Sequence, residues 1–182
     1  MKKIMLAAAV IGSAIMAQAA ATNWKVAAAN VNNSSAAVYS GTMYVFCTEL
    51  LSIDTLSAAL SGQKSIADVT TYLTGNKLGT ANVAAGLVKN TLAENQFSSE
   101  SLLAGNNYNF YYVLVDDAAA KYLVSGTKTA QGSELAAGTN IAFGNQLDYT
   151  QTAGNWVAVP EPTSGILLLL GMAGLALRRK QK

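Results

Sequence analysis

A mainly β fold, a small antiparallel β-sandwich with one or two short helices, is predicted by three features of this 182-residue chain. β-Branched and aromatic side chains collect in runs, above all Met43-Tyr44-Val45-Phe46-Cys47 and Tyr108-Asn109-Phe110-Tyr111-Tyr112-Val113-Leu114-Val115. Gly and Asn punctuate the gaps, at Gly75-Asn76, Gly105-Asn106-Asn107, Gly132, Gly138 and Gly144-Asn145. Apolar segments at the two ends stand outside this pattern and flank the sandwich as an N-terminal signal peptide and a C-terminal transmembrane-like helix.

The elements follow in order. Lys2 and Lys3 precede an apolar run from Ile4 to Met16 that closes on Ala17-Gln18-Ala19. A charged start, an apolar stretch below the ~20 residues a span needs and small residues at Ala17 and Ala19 make residues 1–19 a cleavable signal peptide. Residues 20–158 are then a single exported β-rich domain, near the common domain size of about 100–150 residues. Within it, Asn23 to Ala28 is a weaker strand candidate and Ala37 to Thr48 a stronger one. Asp54 is placed to cap a helix over Thr55 to Leu60, and Ser65-Ile66-Ala67-Asp68 is a capping-box-like start for a second that ends at Gly75. Val83 to Leu92 is another weaker strand candidate. Tyr108 to Val115 and Lys121 to Ser125 read as the two arms of a hairpin around Asp116 to Ala120. Thr139 to Phe143 and Asn155 to Val159 complete the set.

Charge and composition exclude several functions. From Thr22 to Val159 six lysines face nine acidic side chains, a net charge of −3 without any basic cluster. Such a body has no footprint for a phosphate backbone, so nucleic acid is not expected as a partner. The chain has no histidine, which removes the usual general base and the commonest zinc ligand. No phosphate-binding glycine loop and no G-x-S-x-G elbow occurs, and no cofactor or metal is expected. The lone cysteine, Cys47, cannot form an internal disulfide and reads as a buried, inert thiol in a strand.

Paired carboxylates are the one catalytic route left, since a glycosidase needs only two suitably spaced acids. Asp116-Asp117 is the conspicuous pair, but adjacent Asp residues between strands form solvated turns, and the alternating acidic ladder of a calcium loop is missing. Glu94 and Glu100 read as loop surface. Tyr108, Phe110, Tyr111 and Tyr112 are expected in the core rather than on a carbohydrate-stacking face. Asn32-Asn33-Ser34-Ser35 contains glycosylation-like Asn-x-Ser matches, a pattern too short to carry weight by itself. The expectation is therefore a non-enzymatic body, with a carboxylate-pair carbohydrate-active enzyme as the alternative.

The end of the chain, residues 159–182, is the most informative part. Val159-Pro160-Glu161-Pro162-Thr163-Ser164 is followed by an uncharged run from Gly165 to Leu177 and by Arg178-Arg179-Lys180-Gln181-Lys182. As a helix the run would be about 20 Å long against a hydrocarbon core of about 30 Å, a poor permanent anchor. Arg178, Arg179 and Lys180 resist translocation and act as a membrane stop. Pro160 and Pro162 keep the preceding segment extended. A plain membrane-retained tail anchor is the competing reading.

Through its whole length this segment resembles the PEP-CTERM sorting signal, with Pro160, Glu161 and Pro162 as the sorting motif. The resemblance implies recognition by an exosortase, a membrane-embedded peptidase or transpeptidase of Gram-negative bacteria. It further implies export across the inner membrane, transient membrane contact through residues 165–177, cleavage near the motif and arrival at the cell surface or extracellular matrix. Extracellular polysaccharide is the further partner it implies. A structural or binding role for the body is the corresponding expectation.

Overall fold

The computed structural model describes residues 21–135 and 138–160. Its elements run β1 (Thr22–Ala29), β2 (Gly41–Cys47), α1 (Ile53–Ser61), α2 (Ile66–Asn76), β3 (Gly79–Val83) and β4 (Gln96–Ser99). They continue with β5 (Asn107–Asp116), β6 (Lys121–Val124), β7 (Lys128–Gln131), β8 (Thr139–Asn145), α3 (Leu147–Gln151) and β9 (Trp156–Ala158). The expected signal peptide and the expected C-terminal helix lie outside the described residues. Among the described residues no helix is long and apolar enough to cross a membrane.

The fold is mainly β, in two sheets. One has the strand order β4-β1-β8; the other runs β3-β2-β5-β6-β9, with β7 also paired to β5. β1 shows why two-residue alternation matters. Thr22, Trp24, Val26 and Ala28 are buried while the residues between them are half-exposed, so one face meets the core and the other meets water.

β2 and β5 have no such wet face. Met43, Val45 and Cys47 of β2, with Phe110, Tyr112 and Leu114 of β5, join Trp24, Val26 and Ile141 in the core between the sheets. Their neighbours Tyr44, Phe46, Tyr111, Val113 and Val115 point the other way, onto Leu56 and Leu60 of α1 and Val69 and Leu73 of α2. The four-residue spacing within each helix puts both of its apolar side chains on one stripe. The continuous apolar runs in the sequence are thus strands covered on both faces, by the small sheet and by the helices.

The hairpin forms as expected: β5 pairs antiparallel with β6, with Val113 opposite Val124 and Asp116 opposite Lys121. Other expectations need correction. The sheets are not wholly antiparallel, because β8 runs parallel to β1. Side-chain alternation is the same for either direction; direction is set by the long connection that brings residue 139 back beside residue 24. The first helix is capped by Ser52, whose hydroxyl accepts from the Thr55 N–H, and Asp54 sits inside its first turn. A carboxylate there complements the helix dipole without being the cap. Ser65 caps α2 as expected, accepting from the Asp68 N–H at 3.1 Å. The Val83 to Leu92 candidate holds only the end of a strand, since β3 stops at Val83. Ala85 and Gly86 then take φ values of 49° and 73°, which turn the chain out of extended conformation. β4, β7 and α3 complete the fold; all are short, and none has the apolar periodicity that announces an element.

Trp24 organises the inter-sheet core. Its ring stacks on Phe97 at 6.0 Å between centroids and meets Phe110 edge-on at 5.3 Å. Its indole N–H is the only fully buried side-chain donor or acceptor without a partner among the described residues. Such an orphan costs about 1–3 kcal/mol, which the ring contacts and the burial of a large aromatic must offset. The packing beside it is tight: a Cβ on Gly79 would lie 2.3 Å from Cγ of Phe97. Gly75, on the exposed side of α2, would meet nothing within 4 Å.

Gly79→Ala is therefore expected to destabilise the protein by about 1–3 kcal/mol through overpacking. Gly75→Ala, by contrast, should stabilise it by up to about 1 kcal/mol through helix propensity. Denaturant midpoints of the two variants, moving in opposite directions, check the assignment.

Candidate functional site

A polar surface cleft of about 500 Å³ opens where β5 ends and β2 begins. Its walls come from three places: Asn33, Val38 to Thr42 and Tyr44 on the β1–β2 connection and β2, Thr70 on α2, and Val115 to Asp117 at the end of β5 and the start of the turn. Hydroxyl-bearing residues dominate the lining, with one amide, Asn33, and two acids, Asp116 and Asp117; it contains no basic side chain.

The connection is built by Asn33, whose side-chain oxygen accepts from the N–H groups of Ser35 and Ala37, both at 3.0 Å. This is an Asx turn, helped by Ala36 at a φ of 61°. The motif that resembled a glycosylation acceptor is thus a turn-former that shapes the cleft. Tyr39 anchors the far side. It is 7% exposed, and its hydroxyl lies 3.1 Å from the Val115 carbonyl and 3.2 Å from that of Thr42. Burial pushes this hydroxyl up to about 12, with the hydrogen bond to Val115 offsetting only part of the effect. It stays protonated at neutral pH and cannot serve as a base.

The two adjacent acids have different fates. Asp116 is 7% exposed. One carboxylate oxygen accepts from the Ser34 N–H at 3.0 Å and from the Ser34 hydroxyl at 2.6 Å; the other accepts from the Ala119 N–H at 3.3 Å. Asp117 is exposed on the rim. Asp116 therefore ties the β1–β2 connection to the hairpin turn, and its lone pairs are committed to that task. Among the described residues no three His, Cys, Asp or Glu side chains come together as a metal site.

The other singled-out residues fall elsewhere. Phe110, Tyr111 and Tyr112 are fully buried, so their rings present no stacking platform. Tyr108 is half-buried, and its hydroxyl accepts from the Leu103 N–H at 2.8 Å. Glu94 and Glu100 are both exposed, on either side of β4. Cys47 is 1% exposed and donates its S–H to Glu49 at 2.9 Å. Burial first, and the Glu49 carboxylate second, push the thiol up to about 12, the opposite of an activated nucleophile. Slight burial would raise Glu49, but hydrogen bonds from Cys47, the backbone, Thr48 and Asn109 outweigh it and hold that carboxyl below its usual range.

At the same end of the large sheet the chain leaves the fold. β9 pairs with β6, Leu123 opposite Trp156 and Lys121 opposite Ala158. The Val159 N–H donates to the Ala120 carbonyl at 2.9 Å, in the same turn that carries Asp117. Val159 is 4% exposed and packs into the helix-side core, while Pro160 is exposed. Of the residues expected to direct processing, Pro160 alone is described; Ala17, Ala19, Glu161, Pro162, Arg178, Arg179 and Lys180 lie outside the described residues.

Two measurements check this chemistry. Asp116→Ala, which leaves two N–H groups and a hydroxyl without their acceptor, should cost about 1–3 kcal/mol in chemical denaturation. Asp117→Ala should stay within about 0.5 kcal/mol. For Cys47, the unfolded thiol ionises near its ordinary value of about 8.5 while the folded thiol does not. Its contribution to stability is full below that value and is lost as pH rises towards about 12. The buried Tyr39 acts in the same direction. Stability should therefore fall above about pH 9, and iodoacetamide should label native Cys47 no faster than the protein unfolds.

No curated protein and no solved structure matches the chain. One family description, the PEP-CTERM protein-sorting motif, matches residues 158–180. The match starts on the last residue of β9 and runs through Pro160-Glu161-Pro162 and the apolar run into the basic end. The chain thus carries a PEP-CTERM protein-sorting motif, the mark of a secreted protein targeted to an exosortase.

Proposed function

We propose that this protein is an exosortase substrate of the cell surface or extracellular matrix whose β-rich body has a structural or binding role. In this reading a Gram-negative cell exports it across the inner membrane with removal of residues 1–19. Residues 165–177 then hold the precursor at the membrane, and Arg178, Arg179 and Lys180 stop further passage. The exosortase reads Pro160-Glu161-Pro162 and separates the body from the tail.

The observation that carries this reading is the sorting motif joined directly to the last strand, with Pro160 exposed where the chain leaves the fold. The body itself favours binding over catalysis. Its cleft is lined mainly by hydroxyl-bearing residues, its buried acid is tied to Ser34 and Ala119, and its thiol is held protonated. A neutral, hydroxyl-rich ligand such as extracellular polysaccharide suits such a lining, whereas an anionic one would find no cation there.

Intact-mass measurement of the surface fraction tests the proposal. The wild-type species should lack Arg178 to Lys182. Replacing Pro160, Glu161 and Pro162 by alanine should leave an uncut, membrane-held precursor, and deleting everything from Gly165 onward should release a soluble body. A mature wild-type species that retains Arg178 to Lys182 would make the tail a simple membrane anchor.

A further inference from the structure

The sorting motif and the fold share residues. Ala158 and Val159, at its start, belong to the folded body: Ala158 pairs with Lys121, and Val159 is hydrogen-bonded to Ala120 and buried under the helices. Two residues earlier, Trp156 is 6% exposed in the inter-sheet core, and its indole N–H donates to the Thr150 carbonyl at 2.8 Å. The last strand is thus pinned in both cores, with no linker between the final docked residue and Pro160.

Enzymes that bind a peptide in extended form use the main chain on both sides of the bond they cut. Here the main chain on the N-terminal side is already committed to β6 and to Ala120. We propose that docked β9 sets the N-terminal limit of the segment the processing enzyme can hold. The cut then falls at or beyond Pro160, the mature body keeps Trp156 to Val159, and opening of the Val159–Ala120 hydrogen bond, with β9 still paired to β6, controls the rate. The enzyme meets the body at the Asp117–Ala120 turn, beside the mouth of the cleft. In the cleavage itself the carbonyl of the broken bond stays with the body, as a carboxylate if water enters or as an amide if an acceptor amine does. The tail leaves with a new amino terminus.

The inference rests on exosortase processing, and the experiment separates the two. Full-length chains are followed by pulse-chase in cells that contain the exosortase, with peptide mapping of the mature C-terminus. Two variants free the segment by different means: Val159→Asp undocks it, and a Gly-Ser spacer between Val159 and Pro160 lengthens it while leaving β9 in place. Both should be processed roughly tenfold faster, the factor set by removing about one hydrogen bond's worth of local opening cost. The spacer variant should keep Trp156 to Val159, and Val159→Asp should add cuts upstream of Pro160. Wild-type rates in the spacer variant, or a wild-type product ending before Val159, would overturn the inference even if Val159→Asp merely misfolds. Normal processing of the Pro160→Ala, Glu161→Ala, Pro162→Ala variant would overturn the sorting reading and this inference together.

Discussion

A strand covered on both faces constrains everything around it, and β5 is that strand. From Phe110 to Asp116 every residue is buried, so no side chain can be turned to water to relieve a misfit. β5 also carries the hydrogen-bond ladders to β2, β6 and β7. Each of its aromatic and branched side chains, worth about 1.5–3 kcal/mol on full burial, needs a partner surface on its own side. The small sheet supplies one surface through Trp24 and Ile141, and α1 and α2 supply the other. A two-residue alternation on β5 thereby dictates a three-layer arrangement.

The polar groups follow from the same constraint. Buried hydroxyls on β5 must find acceptors, and they find them at the edges of the layers. Tyr111 donates to the Leu51 carbonyl at 2.7 Å, which fixes the entry to α1. Tyr112 donates to the Gln146 side chain at 2.6 Å, which fixes the approach to α3. At the strand's end Asp116 gathers Ser34 and Ala119, so the cleft wall and the hairpin turn become one rigid unit. An acid that the sequence places in a solvated turn is in fact buried, and it is the tie that gives the cleft its shape.

The C-terminal sorting motif is coupled to this body by geometry. β9 is the edge strand of the large sheet, and the turn that receives Val159 also borders the cleft. The start of the sorting motif and the rim of the cleft therefore lie at the same end of the large sheet. An edge strand is the part of a sheet that opens most readily, because only one side of its backbone is paired.

Much of this was legible in the residues. The runs at Met43 to Cys47 and Tyr108 to Val115, the Ser65 cap and the hairpin around Asp117 are local patterns, and a proline-flanked motif before an apolar, basic tail is local too. The sequence by itself therefore determined the β class and the sorting motif, features encoded within a few neighbouring residues. It did not reveal the parallel pairing of β8 with β1, because alternation is indifferent to strand direction. Nor did it reveal β4, whose Phe97 gains meaning only across from Trp24. The cleft was hidden for the same reason: Asn33, Tyr39, Thr70 and Asp116 are far apart in the chain, and only packing brings them to one place. The tertiary structure alone decided that Asp116 is a tie and that the sorting motif begins inside the fold. Both depend on which distant carbonyls and N–H groups a residue meets, and no local pattern encodes that.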